Sequence, residues 1–329
     1  MAKRVTILDV AAEAGVSRQT VTRAMNDMAD IREDTRRKVL EAAERLGYRP
    51  SRFARNLVTR QKTHAVGLVV ASFRNPYYTD IADDMIQAVG ERGWQVMIAA
   101  SQGVASDDLD LLSTQVDVVI GHFDGSDADL LKAARGLPVI RLESRSDTPG
   151  VHSVEIDIES GVVEAISALR ARGARRFGMV DSSYSTRHGG VYEPSPRREW
   201  FEEHVGEQIS GVVVGEESIS GGGRAFAELM ERYPDTDAVL MFNDLMALGA
   251  VQSAHAIGVD VPRDVRIVGV DGLALGEAVD PPLTSIALDR EGLAASTMDI
   301  VEELAKAHFA RVESMHRSVR SKMLWRASA

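Results

Sequence analysis

The sequence predicts an α/β protein in which a small all-α helix-turn-helix headpiece precedes a larger, doubly wound domain of two subdomains. Three observations predict it: two short helical patterns joined by a tight turn near the N-terminus, apolar strand-like runs alternating with helical segments from residue 65 onward, and a charge that divides between those regions. The chain has 329 residues, 44% hydrophobic and 26% charged, a composition that forms packed cores and excludes a disordered or fibrous chain. Its net charge of -11 speaks, taken whole, against a nucleic-acid binder. Resolved along the chain, residues 1–62 hold 14 Lys and Arg against 8 Asp and Glu, a net of +6, which leaves -17 for residues 63–329. A basic module is joined to an acidic one. The absence of cysteine excludes a disulfide framework, a cysteine nucleophile and any Cys-ligated metal. No run approaches the roughly 18 apolar residues that span a bilayer. Residues 1–6 lack the apolar stretch of a secretion signal, so the expected location is the cytoplasm, away from any membrane.

The headpiece elements follow from local chemistry. Thr6 can cap a first helix, Asp9 sits in its electropositive first turn and Gly15 stops it. Ser17 is the N-cap expected for a second helix over Arg18–Met25, whose Val21, Ala24 and Met25 recur at helical spacing to pack on Leu8, Val10 and Ala11. The short join Ala14-Gly15-Val16-Ser17 suits two helices that cross steeply. A third helix, about 34–46, puts Val39, Ala42, Ala43 and Leu46 on one face and ends at Gly47. Arg18, Gln19, Thr22 and Arg23 remain on the outer side of the second helix, donor-rich side chains that reach base edges or phosphates in a major groove. The alternative is that they only solvate a surface helix; the basic excess around them favours DNA.

In the acidic region, the run 65–70 is continuously apolar, as a strand buried on both faces of a parallel sheet requires. Similar runs cover 96–100, 116–120, 138–142, 177–181, 209–214, 238–242 and 265–270, with a further short strand through Val154-Glu155-Ile156. About nine strands exceed one ordinary sheet, hence two subdomains, with a small-molecule site expected where strand carboxyl ends from both face a shared cleft. Polar residues stand at those ends: Asn75-Pro76-Tyr77-Tyr78, Asp157, Asn243-Asp244 and Asp271. Carboxylates, amides and an arginine facing aromatic rings suit a polyol or sugar, which needs paired hydrogen bonds to adjacent hydroxyls and a flat surface for its C–H face. Any one of them has the plainer explanation of a helix cap or turn former. His122, Phe123 and Asp124 end another strand and divide evenly between pocket and structural roles.

Val5-Thr6-Ile7-Leu8-Asp9-Val10-Ala11-Ala12-Glu13-Ala14-Gly15-Val16-Ser17, Thr20-Val21, Arg23 to Asn26 and Leu46-Gly47-Tyr48-Arg49-Pro50 together resemble the headpiece of the lactose repressor (LacI) family of bacterial regulators. The resemblance adds Thr6, Leu8, Ser17, Thr20 and Asn26 to the implied DNA-contacting set of Arg18, Gln19, Thr22 and Arg23. Ser51-Arg52-Phe53-Ala54-Arg55-Asn56-Leu57 resembles that family's hinge, loosely ordered when free and helical on operator DNA. Alone it is a basic linker too short to hold a helix. The resemblance implies DNA contacts from Ser51, Ala54 and Arg55 and a minor-groove wedge from Leu57, whose alternative is a leucine tucked against the next domain. Two positions depart from the family pattern: Arg32 replaces the Ser that caps the third helix, a weakening of about 1 kcal/mol, and Ser51 replaces an Asn.

The resemblance continues through Asn75-Pro76-Tyr77-Tyr78, Asn243 to Ala250, Val268-Gly269-Val270-Asp271 and Pro281-Pro282-Leu283-Thr284. It implies the fold of periplasmic sugar-binding proteins and effector contacts from Tyr77, Tyr78, Asp157, Asn243 and Asp271. An effector arginine is implied within Pro196-Arg197-Arg198-Glu199-Trp200; the family's Gly three positions later is replaced by Trp200 or Phe201, and Arg197 is preferred to Arg198. The segment 101–116 is shorter than the family's. The implied organisation is a headpiece over 1–49, a hinge over 50–63 and an effector and dimerisation domain over 64–329. The implied function is a homodimeric repressor of a roughly palindromic operator, governed by a small, sugar-like effector, with no cofactor and no metal.

Two other functions compete. A solute-binding protein without gene control accounts for the acidic domain and leaves the headpiece unexplained. An enzyme would use Gly221-Gly222-Gly223 to seat a phosphate at a helix N-terminus, yet the Lys and Ser/Thr of a phosphate loop are absent, and a plain helix N-terminal turn is the better reading.

Overall fold

The computed structural model describes residues 6–25, 28, 31–46, 63–100, 109, 112, 115–123, 125–184, 191–309 and 313–329. In the headpiece, α1 (Ile7–Ala14), α2 (Arg18–Met25) and α3 (Glu33–Arg45) enclose a core of Val10, Ala11, Val21, Ala24, Val39, Ala42 and Ala43. Gly15 ends α1 in the left-handed region at φ 65°, where a side chain would be strained. Arg32 makes no side-chain cap on α3, as its departure from the family pattern implies. Leu8 corrects the expected core: it is 61% exposed, and Val10 and Ala11 alone supply the buried surface of α1.

The remainder forms two six-stranded sheets among the described residues. The first has the order β11-β5-β4-β3-β1-β2, built from β1 (Ala65–Val70), β2 (Gln95–Ala100), β3 (Val118–Gly121), β4 (Val139–Leu142), β5 (Val151–Asp157) and β11 (His316–Arg320). The second, β12-β10-β9-β8-β6-β7, is built from β6 (Phe177–Ser182), β7 (Ile209–Gly215), β8 (Ala238–Met241), β9 (Arg266–Asp271), β10 (Thr284–Ala287) and β12 (Lys322–Leu324). Every pairing is parallel except that of β12 with β10. Helices α4 (Pro76–Glu91), α5 (Asp127–Ala133), α6 (Ile158–Ala171), α7 (Pro196–Val205), α8 (Ile219–Arg232), α9 (Asp244–Ile257) and α10 (Arg290–Lys306) separate the strands. The chain therefore crosses between subdomains three times: through α6, through α10 and at Ser321 between β11 and β12. Ser321 Oγ donates to the Asp157 carbonyl oxygen at 2.6 Å, so two crossings are tied together.

β10, β11 and β12 go beyond the strands expected from sequence. β11 reads His-Arg-Ser-Val-Arg, an edge strand with one buried residue, and β10 and β12 are too short to give a clear apolar run. The glycine run finds its explanation in packing. Ser218 Oγ caps α8 by accepting from Gly221 N at 3.0 Å, the buried Gly221 lies against Glu216, and the buried Gly222 and Gly223 lie against α9, where a Cβ on Gly249 would overlap the Ile219 carbonyl oxygen. No helix among the described residues is long and apolar enough to cross a membrane.

Candidate functional sites

On the headpiece, the Thr6 backbone N–H and hydroxyl both donate to Asp9 Oδ2 at 2.7 Å, which fixes the start of α1. Ser17 Oγ accepts from Thr20 N at 3.1 Å and lies 2.9 Å from Thr20 Oγ1, so these two hydroxyls fasten the first turn of α2. Thr22 donates back to the Arg18 carbonyl oxygen at 3.1 Å. Arg18, Gln19 and Arg23 are exposed on the face of α2 opposite the buried Val21 and Ala24. This surface can present guanidinium and amide donors to a polyanion, on a helix held by a three-helix core. Asn26, Ser51, Ala54, Arg55 and Leu57 lie outside the described residues, as does most of the 50–63 hinge.

Between the subdomains, polar and aromatic side chains converge. Asn75 caps α4 by accepting from Tyr77 N at 3.1 Å, and Pro76 occupies the first helical position, where its missing N–H costs nothing. This places Tyr77 and Tyr78 at the start of α4, ring centroids 5.4 Å apart and edge to face. Tyr77 is buried and donates its hydroxyl to Glu143 Oε1. The other Glu143 oxygen lies 2.6 Å from His122 Nε2, and the His122 ring stands edge-on to Tyr78 at 5.1 Å. Glu143 follows β4 with φ 59°, a left-handed position unusual for a side chain-bearing residue. Burial opposes its charge, yet His122, Tyr77 and Arg197 outweigh burial and hold the carboxyl below its usual range. Burial, followed by Glu143, pushes both the Tyr77 and Tyr78 hydroxyls upward.

The second subdomain presents a different face. Arg197, on α7, lays its guanidinium 4.4 Å from the Phe242 ring centroid and donates to the Phe242 carbonyl oxygen, within electrostatic reach of Tyr77, Tyr78, Glu143 and Asp271. Asn243 caps α9, accepting from Met246 N at 2.9 Å. Asp271 ends β9 with φ 127° and is buried; its Oδ2 has no hydrogen-bond partner. Burial drives its carboxyl well upward against the pull of Arg197, and Asp244 and Glu143 add to the rise while a hydrogen bond from Asn75 opposes it. Asp244 beside it is pushed up to about 6 by burial, although it accepts from Ser285 Oγ at 2.6 Å and Leu273 N at 2.7 Å. The Asn75–Asp271 bond and the Arg197–Glu143 attraction both span the two subdomains. Such an arrangement can engage a polar ligand from both faces, and among the described residues it pairs no nucleophile with a base.

Residues 6–51 match the family model described as bacterial regulatory proteins of the lacI family, and residues 166–329 match the periplasmic binding protein-like domain. Catabolite control protein A of Priestia megaterium is 30% identical over 312 residues, which cover 90% of this chain and 91% of that protein. The chain belongs to the LacI family. Among solved structures similar to this LacI-family chain, a lac repressor dimer bound to operator and the anti-inducer ONPF is 25% identical with a TM-score of 0.78, covering 99% of each chain. A transcriptional regulator CelR–cellobiose complex is 28% identical with a TM-score of 0.70, covering 99% of this chain and 100% of that one. The protein is thus a DNA-binding transcriptional regulator and not an enzyme, and a solute-binding role without gene control finds no support.

Within this cleft, four of the six residues expected from sequence come together, Tyr77, Tyr78, Arg197 and Asp271, while Asn243, next to the Phe242 that Arg197 engages, caps α9. Arg198 turns elsewhere, donating to Tyr192 Oη at 2.9 Å and Glu202 Oε1 at 2.7 Å. Asp157 takes the plainer role. Its carboxylate accepts from Ser160 N at 3.0 Å and Ser160 Oγ at 2.6 Å, capping α6 at the crossing, so both oxygens are already engaged. Sequence reasoning missed Glu143, Asn75 as a bridge, and Glu217, which acts on Tyr78 from the opposite subdomain. The strand-end rule that selected Asp271 selects Glu143 as well, because Glu143 directly follows the run 138–142.

Proposed function

We propose that this LacI-family regulator is a cytoplasmic homodimer that represses transcription from a roughly palindromic operator, and that a sugar-like effector in the interdomain cleft sets its operator affinity. The observation that carries the effector reading is the unpartnered, buried Asp271 Oδ2 at a cleft bridged by Asn75 and Arg197. A ligand hydroxyl satisfies that oxygen and shifts the population toward the closed arrangement, and an effector alters DNA binding only through such a difference between two arrangements. The solved CelR–cellobiose complex and the operator-bound lac repressor dimer support the assignment. Tyr77, Tyr78, Arg197, Asn243 and Asp271 are the proposed effector contacts. Thr6, Leu8, Ser17, Arg18, Gln19, Thr20, Thr22, Arg23 and Asn26 of the headpiece and, in the hinge region, Ser51, Ala54, Arg55 and Leu57 are the proposed DNA contacts.

Selection of genomic fragments by the full chain at physiological salt is expected to enrich an inverted repeat, since two headpieces read two half-sites. Failure to enrich one would overturn the proposal. Arg18→Ala is expected to cost about 1–3 kcal/mol and relax base preference at one position of each half-site. A loss equal for all sequences would make Arg18 a phosphate contact.

A further inference from the structure

Away from the cleft, the start of β11 is seated on the start of β5 by a contact that only one protonation state allows. The Met315 backbone N–H donates to His152 Nδ1 at 3.0 Å, and the Met315 carbonyl oxygen accepts from Ser153 N at 3.0 Å, so both backbone groups of Met315 are tied to β5. Beside them, Ser314 Oγ accepts from Gly150 N at 2.9 Å, and His316 Nδ1 lies 2.8 Å from Ser153 Oγ. His152 is 3% exposed. Alternation along β5 puts its ring on the face of Val154 and Ile156, which belong to the apolar core that Met315 and Phe309 also pack against.

A backbone N–H only donates, so His152 Nδ1 presents a lone pair in the seated strand. An imidazolium carries a hydrogen on both nitrogens and would turn an N–H against the Met315 N–H, in apolar surroundings that disfavour charge. Burial, followed by the charge of His316, accordingly holds the His152 ring below its usual range. Other ionisable side chains on the elements packed here are paired: Arg141 of β4 with Asp127, Arg145 with Asp147, Arg317 of β11 with Glu303 of α10, and Glu302 of α10 with Arg92. Glu155 of β5, Arg320 of β11 and Lys306 of α10 lie on the same elements. The released ring takes up a proton more readily than the seated one, so the seated strand is favoured above 6.5 and lost as pH falls below it.

β11 matters because of where it leads. It is the edge strand of the first sheet, paired with β5, and it runs straight into the Ser321 crossing, where Ser321 Oγ holds the Asp157 carbonyl oxygen at the far end of the same β5. We propose that His152 is a proton-operated latch on that crossing: the ring with a free Nδ1 lone pair seats the start of β11 on β5, and a proton on that nitrogen releases it, so acidification loosens one of the three connections between the subdomains. The latch uses none of the proposed effector contacts and stands whether or not the cleft is the effector site.

The test is amide hydrogen exchange on the full chain between about pH 7.5 and 5, corrected for the intrinsic pH dependence of exchange, with β4 as the reference strand of the same sheet. Protection over residues 315–324 is expected to fall about tenfold or more relative to β4 as the pH drops. His152→Asn, which can offer an amide oxygen to Met315 without titrating, should keep β11 protected at both ends of the range, and His152→Phe should leave it unprotected at both. If either variant fails to fold, nitrogen chemical shifts of the His152 ring in the native chain give the same answer, because the loss of protection must follow protonation of that ring. Protection of β11 that tracks β4 at every pH, a full pH response in His152→Asn, or a response that disappears in His316→Gln and not in His152→Asn would each overturn the latch. A loss confined to 315–320 that leaves 322–324 protected would overturn its reach to the crossing.

Discussion

The two faces of the cleft handle buried charge in opposite ways. On the first subdomain Glu143 is saturated: Tyr77 and His122 occupy its oxygens and hold it ionised. On the second, Asp271 and Asp244 lie buried with one oxygen of Asp271 unpaired, and burial drives both toward the protonated form. A carboxylate with all its partners in place is a structural anchor, since it orients the groups around it. A buried carboxyl oxygen that lacks a partner carries a desolvation cost, which on the proposed reading a ligand hydroxyl relieves. The contrast separates the face that positions from the face that responds.

Asp271→Asn is the largest expected break. It replaces the buried, unpartnered Oδ2 that a ligand hydroxyl would meet with an amide and should weaken sugar binding roughly ten- to hundredfold, while thermal stability stays level or rises because a buried carboxyl is gone. Titration calorimetry and melting curves on the same samples check both halves. Lost affinity together with a large drop in stability would make Asp271 structural.

Glu143→Gln should act the other way. The neutral amide keeps one acceptor oxygen where the carboxylate has two, so the Tyr77 and His122 contacts lose their charge assistance and cannot both be made to an oxygen, at about 1–3 kcal/mol of stability. Chemical denaturation measures it, and an unchanged midpoint would show that the anchor is not needed.

The smallest effect is in pH. Asp244 has its folded value raised, so the native state binds more protons than the unfolded one between 3.8 and about 6, and Asp271 shifts in the same direction. Their contribution to stability is present below that window and lost as pH rises through it. Glu143 has its folded value lowered from 4.5, so its contribution is present above that value and lost as pH falls below it. Melting curves from pH 4 to 7 should therefore show a flatter slope in Asp271→Asn than in the native chain, and an identical slope would contradict the assignment of protons to that face.

The responding face was the more legible of the two from sequence. Asn243 and Asp271 follow apolar runs long enough to mark as strands, and their family motifs surround them. The anchoring face depends on features that sequence does not display. Glu143 takes a left-handed backbone conformation without a glycine to announce it, and the Tyr77–Glu143 contact joins residues 66 positions apart. Asp157 shows the converse limit, since a strand-end aspartate is as well suited to capping the next helix as to meeting a ligand, and here Ser160 engages it. In the headpiece, periodicity located all three helices to within a residue or so, yet it buried Leu8, because an apolar residue reads as core until its face is known. Its exposure leaves it available to a partner surface.

Control of the headpiece by a ligand in the cleft is tested most directly by measuring the affinity of the full chain for its selected inverted repeat, with and without a saturating sugar that titration calorimetry shows to bind, beside Asp271→Asn. The sugar should change the native chain's operator affinity by about tenfold or more and leave the variant's affinity unmoved. A sugar that occupies the cleft of the native chain and leaves its operator affinity unchanged would contradict the account.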